Sequence, residues 1–279
     1  MSISTYRRRR ATNTLMLTLC AVHAFLAVGV LLLILGFVLV QGISSLNVDL
    51  FTKVPVPEGE PGGGVANSIV GSLITVGLAA VIGIPVGTGA GIFLAEYAGR
   101  RLGDIVRFTA DVLTGVPSIV IGIFVYGLVV LRMGNFSALA AGVALAIIML
   151  PIMARSSEEM LRLVPHSQRE AALALGISRW RTILSVVVPA AQRGLLTGAL
   201  LAIARAAGET APLIFTALGN RFMSLSVTGG PIDALPLRIY RYATGPYAEQ
   251  HDQAWAASFV LVMTVLLISL TARLILRRR

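Results

Sequence analysis

The chain alternates between long apolar runs and short polar connections. A helix needs about 20 mainly apolar residues to cross the ~30 Å hydrocarbon core of a bilayer, and six runs have about that length or more. They are roughly residues 15–40, 66–95, 105–131, 136–154, 194–218 and 253–276. Because backbone polar groups in lipid must bond within their own segment, each run is predicted to be helical. The pattern predicts an all-α membrane protein with six transmembrane helices.

Composition agrees with a membrane protein. Hydrophobic residues make up 56% of the chain and charged residues only 13%, a balance at which a soluble protein would expose apolar surface. The net charge of +10 could instead indicate a nucleic-acid-binding protein, but such proteins gather their basic residues into a solvated patch. Here the basic residues fall between the apolar runs, which indicates membrane topology as their cause.

Glycines crowd the second run, where small residues let helices approach each other closely. They are Gly71, Gly77, Gly83, Gly87, Gly89 and Gly91. We interpret them as a helix-packing surface. Pro85, Pro117 and Pro151 lie in the second, third and fourth runs and are expected to kink their helices.

The arginines decide the predicted orientation, since cytoplasmic loops are enriched in basic residues. Residues 1–14, which include Arg7 to Arg10, are predicted to be a basic cytoplasmic tail, and residues 15–279 a single transmembrane domain. The first run is too long for a signal peptide and is expected to remain as an anchor. Both termini are then cytoplasmic. Three acidic residues near the membrane ends are expected to pair with Arg100, Arg101 or Arg107; they are Glu96, Asp104 and Asp111.

The polar segment 155–193 is predicted to be a cytoplasmic loop, longer than a simple connection between helices requires. Within it, Ser167 and Glu170 have the spacing of a capping box, and Gly176 suits the left-handed position after a last helical turn. These residues predict a short helix over about 168–175.

Small side chains on that helix would let another protein surface approach closely, and Ala171, Ala172 and Ala174 are expected to be exposed. The surrounding sequence reads Glu170-Ala171-Ala172, then Gly176, then Val186-Val187-Val188-Pro189. This string resembles the EAA motif of ABC importer permeases, with valines where that motif has Ile and Leu. The resemblance implies that the short helix docks on a separate ATPase subunit and transmits its motion.

Arg205 and Glu209 are the candidate substrate-contacting residues. Arg205 falls near the middle of the fifth predicted span, where a charge costs roughly 2.5–3.5 kcal/mol to insert and usually faces a cavity or a partner. Glu209, four residues on, would share its helical face. A guanidinium can bind an oxyanion through two parallel hydrogen bonds, and Glu209 could accept the proton that phosphate still carries. The alternative is a structural ion pair that neutralises itself.

Longer stretches resemble the PstA-type permease family of high-affinity bacterial phosphate importers. They are residues 90–97 (AGIFLAEY), 117–120 (PSIV), 163–167 (LVPHS) and 204–213 (ARAAGETAPL). The resemblance implies a type I ABC importer permease fold in the bacterial inner membrane. It also implies four kinds of partner, which are the related permease PstC, two PstB ATPase subunits, the binding protein PstS and inorganic phosphate.

Other functions remain open at this point. The chain could be an importer permease for another oxyanion or small solute, or an ion-coupled secondary carrier that uses Arg205 and Glu209. The glycine run 62–64 is not followed by the Lys-Ser or Lys-Thr pair of a nucleotide-binding loop, so ATP hydrolysis is expected in a separate subunit. We predict no catalytic residues, cofactor or metal in this chain.

Overall fold

The computed structural model describes the backbone of residues 3–277, in which the regular elements are helices. They are α1 (Ile3–Ser44), α2 (Val48–Thr52), α3 (Ala66–Ile92), α4 (Arg100–Gly115), α5 (Ser118–Val125), α6 (Leu131–Met133), α7 (Ala138–Arg162), α8 (His166–Ala174), α9 (Arg179–Thr182), α10 (Val188–Ala207), α11 (Ala211–Thr216), α12 (Leu235–Thr244) and α13 (Ala248–Arg277). Three π-helical segments continue α3, α5 and α9, at Phe93–Tyr97, Tyr126–Val130 and Ile183–Val187.

Five helices of the described chain are long and apolar enough to cross a membrane. They are Arg7–Ser44, Ala66–Tyr97, Ala138–Arg162, Arg179–Ala207 and Ala248–Thr271. A sixth span is counted if α4 and the helix after it, bent from it by 100°, are taken as one. The chain is therefore an all-helical, multi-pass membrane protein, as predicted. The cytoplasmic location of both termini stays a prediction, as does the boundary of the 1–14 tail, whose described backbone is part of α1.

The third predicted span, 105–131, is wrong as a continuous helix. Val116 and Pro117 have extended backbones, with ψ of 129° and 132°, and they separate α4 from α5. A proline disfavours the helical conformation in the residue before it and has no N–H to donate to the preceding turn. The other two prolines expected to cause kinks, Pro85 and Pro151, lie inside α3 and α7, which continue through them.

The predicted loop 155–193 is also too long, because helices extend into it from both sides. α7 continues to Arg162, and the fifth span starts at Arg179 instead of residue 194. Charged residues ended the apolar run but not the helix, since Glu158 is buried and accepts contacts from Arg107 at 2.8 Å and from Arg162 at 2.7 Å. The true connection between the two spans is residues 163–178.

A stripe of small residues runs along the buried face of α3 at a spacing of four residues. Its members are Gly71, Thr75, Ala79, Gly83, Gly87 and Gly91. Such a stripe lets two helix backbones approach closely in a membrane. Gly83 lies against Met149 of α7 and Gly87 against Met153. Because these pairs advance in the same direction, α3 and α7 run parallel.

The prediction that the glycines of the second span form a helix-packing surface is confirmed for this face of α3 and is wrong for the other face. A Cβ at Gly87 would lie 2.4 Å from the Cβ of Met153, so only glycine fits there. Gly77 and Gly89 would meet nothing within 4 Å, which places them away from the packed face.

These two environments predict opposite outcomes for the same substitution. Gly87→Leu should lower stability, since forcing extra carbons into a packed site costs about 1–3 kcal/mol, whereas Gly89→Leu on the same helix should be close to neutral. Thermal unfolding of the two purified variants beside the wild type measures the difference. Equal stability of both variants would contradict the assigned packing face.

Candidate functional site

Arg205 lies in the last turn of α10, where the helix ends. The N–H of Gly208 donates to the carbonyl of Arg205 at 3.2 Å, which closes the final turn. Pro212 occupies the first turn of α11, a position where its missing N–H leaves no helical bond unmade. Residues 208–210 interrupt the helix, and the predicted span 194–218 is wrong as a continuous helix.

Arg205 and Glu209 meet across this interruption. The distance from Arg205 Nη2 to Glu209 Oε1 is 3.4 Å, and the Arg205 side chain is 55% exposed while that of Glu209 is 16% exposed. Glu209 lies beyond the helix, so the two residues do not share a helical face as predicted. The N–H of Glu209 donates to the carbonyl of Ala206. This bond closes a turn that brings the side chains of Arg205 and Glu209 together. The contact is single and long, which leaves most of the guanidinium free to bind something else.

The register of α10 against α7 defines the level of Arg205. Gly198 lies against Ser156, whereas Gly194, one turn earlier, lies against a residue one turn further along α7. The two helices are therefore antiparallel. Continuing this register by about 10 Å, at ~1.5 Å per residue, puts Arg205 level with Met149, near the middle of α7. The register therefore sets Arg205 beside the middle of α7, whereas its depth in the bilayer stays a prediction.

Two helix interruptions lie close together at this level of the helix bundle. Gly122, one turn into α5, lies against Pro212 of α11, and a Cβ at Gly122 would be 2.7 Å from the proline Cα. Backbone outside a helix is tolerated at membrane depth only where protein covers it or where it lines an aqueous cavity. Gly208 is exposed in the isolated chain, so a partner surface or water must meet the interruption beside Arg205.

The second candidate site is α8, which lies at the opposite end of the spans from α12. The predicted helix 168–175 is confirmed within two residues at each end. The predicted capping box is wrong, because Pro165 occupies the N-cap position, no side chain caps the helix and Ser167 is already helical. Pro165 is extended, with ψ of 142°, and its fixed φ favours a helix start directly after it.

Gly176 ends α8 in the manner expected. Its φ is +76°, a left-handed conformation that glycine adopts without steric cost. Its N–H donates to the carbonyl of Leu173 at 2.9 Å, and the N–H of Ile177 donates to that of Ala172 at 3.2 Å. This pair of bonds is a Schellman motif, which satisfies the last carbonyls of the helix.

The predicted contact surface of α8 is partly correct. Glu170 and Ala171 are exposed, but Ala172 is buried at 6% exposure, because α8 packs against α9 and the π-helical segment that follows it. Glu170 lines a cleft of about 710 Å³ together with basic residues. Those residues are Arg162, His166, Arg169 and Arg179.

A buried ion pair joins α8 to the end of the second span, and sequence analysis assigned it incorrectly. Glu96 contacts Arg169 of α8 at 2.7 Å, not the nearby Arg100, Arg101 or Arg107, and both side chains are less than 15% exposed. The other two acidic residues pair at shorter sequence range. Asp104 contacts Arg107 at 3.0 Å, as predicted, and Asp111 contacts Arg155 at 3.4 Å.

Further bonds strengthen this junction. Arg169 Nη2 also donates to the carbonyl of Leu161 at 2.8 Å, so one guanidinium joins α3, α7 and α8. Arg179 donates to the backbone carbonyl of Glu96, and its guanidinium lies 4.9 Å from the ring centroid of Tyr97. The end of α3 is therefore held by one arginine of α8 and one of α9.

The buried pair predicts strong non-additivity between two neutralising changes. Arg169→Gln should destabilise the chain by about 3–5 kcal/mol, because it leaves the Glu96 carboxylate buried without its counter-charge. The double variant with Glu96→Gln should recover much of that loss. Thermal unfolding measures both, and Arg181→Gln, an exposed arginine of α9 without a carboxylate partner among the described residues, is the control. Additive effects of the two changes would contradict the coupling.

Among the described residues, no group of three or more His, Cys, Asp and Glu side chains is placed to hold a metal ion.

Comparison with known proteins gives the family. Residues 87–278 match the family described as "Binding-protein-dependent transport system inner membrane component". The chain is 45% identical over 273 residues to "Phosphate transport system permease protein PstA" of Yersinia pestis, a match covering 97% of this chain and 92% of the relative. It is 43% identical over 274 residues to the protein of the same name from Haemophilus influenzae, covering 97% of this chain and 96% of that one.

Solved structures share the fold at lower identity. Inward-facing MetNI methionine ABC transporter has a chain that superposes with a TM-score of 0.60 at 22% identity, over 77% of this chain and 93% of the other. An amino acid ABC transporter solved with histidines gives 0.55 at 20% identity, over 76% and 92%. The fold is that of an ABC importer permease. With the near full-length relatives above, these likenesses show that the chain belongs to the PstA family of permease proteins, within the binding-protein-dependent inner membrane transport components.

Proposed function

We propose that this chain is the membrane-spanning permease subunit of an ATP-driven importer of inorganic phosphate, and that Arg205 contacts the anion in transit. The observation that supports this role is a largely free guanidinium beside a helix interruption, level with the middle of α7. A charge there is costly to expose to lipid, and an exposed backbone break requires water or protein beside it. Both requirements are met if Arg205 faces the translocation path.

The chemistry of the pair fits a phosphate ion. Arg205 presents a planar donor fork that can bind two oxyanion oxygens together. Glu209 can accept a hydrogen bond from a protonated phosphate oxygen, and a fully ionised anion such as sulfate has no proton to offer it. The PstA relatives are named for phosphate transport, which favours phosphate over another oxyanion or small solute.

The proposal also assigns an ATPase-docking role to α8. Glu170, Ala171, Ala172 and Gly176 belong to the segment that resembles the EAA motif. Ala172 contributes by packing the helix in place, while Glu170 and Ala171 are available on its surface. An ion-coupled carrier would need no such dock, so this segment favours an importer powered by separate ATPase subunits. ATP is then hydrolysed in those subunits and not in this chain.

The proposed assembly pairs this chain with a PstC-type permease, two PstB-type ATPases and a PstS-type phosphate-binding protein in the bacterial inner membrane. α8 then faces the cytoplasm, and the end of the bundle that carries α12 faces outward. This orientation puts both chain termini in the cytoplasm when six spans are counted.

Charge reversal on α8 should uncouple transport without unfolding the chain. Glu170 is exposed and has no ion pair among the described contacts, so Glu170→Lys removes no cap and no buried bond. ATPase activity stimulated by the loaded binding protein should fall, or the ATPase should be lost on purification. Glu159→Lys makes the same charge change on an exposed part of α7 and should leave both readouts unaltered. An intact, fully stimulated Glu170→Lys complex would contradict the docking role.

Removal of the Arg205 charge should abolish transport while the complex still assembles. The Arg205–Glu209 contact is long and largely exposed, so its loss should cost no more than about 1 kcal/mol of stability. Phosphate uptake by proteoliposomes containing Arg205→Gln should therefore be lost, and Arg205→Lys should rescue it only partly because lysine lacks the planar fork.

Two further variants separate anion contact from a structural pair. Arg193→Gln removes an exposed arginine from the same helix, about 18 Å away along its axis, and should retain uptake. Arg205→Gln combined with Glu209→Gln removes both charges together. If Arg205 and Glu209 only neutralise each other, this double variant will transport phosphate at the wild-type rate. That result would contradict the proposed contact between Arg205 and phosphate.

A further inference from the structure

A second basic cleft lies at the end of the bundle opposite α8. It has a volume of about 370 Å³ and is bounded by the segment before α3, the loop after α11 and the helix α12. Three arginines line it, and they are Arg221, Arg238 and Arg241. The cleft is distant from Arg205, which lies level with the middle of α7, so it does not belong to the site described above.

Arg238 forms the fixed base of the cleft. Its side chain is 7% exposed, and its carboxylate partner Asp233 is fully buried. Arg238 Nε donates to Asp233 Oδ2 at 2.7 Å, and Nη2 donates to the carbonyl of Asn220 at 3.1 Å. A buried, paired guanidinium of this kind is held rigidly, and its charge is neutralised locally.

The loop after α11 packs against the side chain of Arg241. Arg241 donates to the carbonyl of Leu218, whose φ is +63°, a conformation that is rare for a residue with a bulky side chain. The next residue, Gly219, has a φ of +83°, and a Cβ there would lie 2.7 Å from Arg241 Nη1. The left-handed φ of Gly219 favours glycine there, and the guanidinium of Arg241 lies against it. Arg241 is exposed and has no carboxylate partner among the described residues.

Arg221 adds a second unneutralised charge. It is exposed, lines the cleft and forms no ion pair within the part of the chain that the structure describes. Tyr242 lies in the same wall, and burial raises the pKa of its phenol. Glu58 is the carboxylate that lines the cleft. Two unpaired guanidiniums against this single carboxylate leave the cleft positive.

We propose that this cleft binds a small tetrahedral oxyanion, phosphate in this transporter, on the side of the membrane from which substrate enters. The inference rests on the proposed function for the choice of phosphate. Its geometry favours a small anion over an acidic protein surface, because the arginines line a concave cleft and not a flat patch. The volume holds an anion with several waters, since one water occupies about 30 Å³.

The test measures whether phosphate occupies the cleft, and it does not depend on transport. The complex purified from its native membranes is placed in nanodiscs without binding protein or ATP, and treated with p-hydroxyphenylglyoxal, which modifies accessible guanidiniums. Mass spectrometry measures the modification rates of Arg221 and Arg241 in phosphate and in chloride of equal ionic strength. Phosphate should slow both rates. Arg132 should react equally in the two buffers, since it is an exposed arginine near the start of α7 that does not line the cleft.

A matched pair of variants sharpens the result. Arg221→Gln should raise the phosphate concentration that half-protects Arg241 by up to about fivefold, the effect of losing one solvent-exposed charge contact. Arg132→Gln should leave that concentration unchanged. Equal modification of Arg221 in phosphate and chloride would overturn the inference, and so would an Arg221 that never reacts, because a covered cleft admits no anion from solution.

Protection that requires added binding protein would also overturn the inference and identify the cleft as a protein-docking surface. Because no uptake is measured, failure here is distinguishable from failure of the Arg205 experiment. A transporter that loses activity in Arg205→Gln but shows no protection of Arg221 would keep the proposed function and lose only this second site.

Discussion

Backbone hydrogen bonding in lipid is the constraint on which this structure depends. Every segment that crosses hydrocarbon must satisfy its own N–H and C=O groups, and the chain does so with long helices wherever it can. The exceptions are therefore informative. One lies at Val116 and Pro117 and the other at residues 208–210, and the helices that follow them meet at Gly122 and Pro212. Both interruptions of the membrane-spanning helices therefore lie in one region, beside Arg205.

Close packing of small residues supports this arrangement. The stripe on α3 lets α7 approach until glycine is the only residue that fits at position 87. In lipid, apolar side chains gain little by leaving one apolar surface for another, so tight van der Waals contact is a main source of helix association. The parallel pair of α3 and α7 forms a firm framework, against which the interrupted helices and α8 are placed.

Sequence analysis predicted the features that depend on local chemistry and missed those that depend on distant partners. Long apolar runs located the spans because hydropathy depends on consecutive residues. Gly176 located the end of α8 because a left-handed backbone depends on the residue at that position. The helical continuation to Arg162 was missed because its charges are neutralised around Glu158, partly by Arg107 from another helix. Glu96 was assigned to neighbouring arginines, whereas its partner Arg169 lies 73 positions away. The capping box failed because Pro165 starts the helix before Ser167 can cap it.

The junction between Glu96 and Arg169 has a mechanical meaning. The pair ties the end of α3 to α8, and α3 is closely packed along α7, so α3, α7 and α8 form one connected unit. The compliant joint must then lie elsewhere, where no continuous hydrogen-bond ladder resists bending. Residues 208–210, between α10 and α11, have no such ladder, and any bending there would alter the surroundings of Arg205 directly.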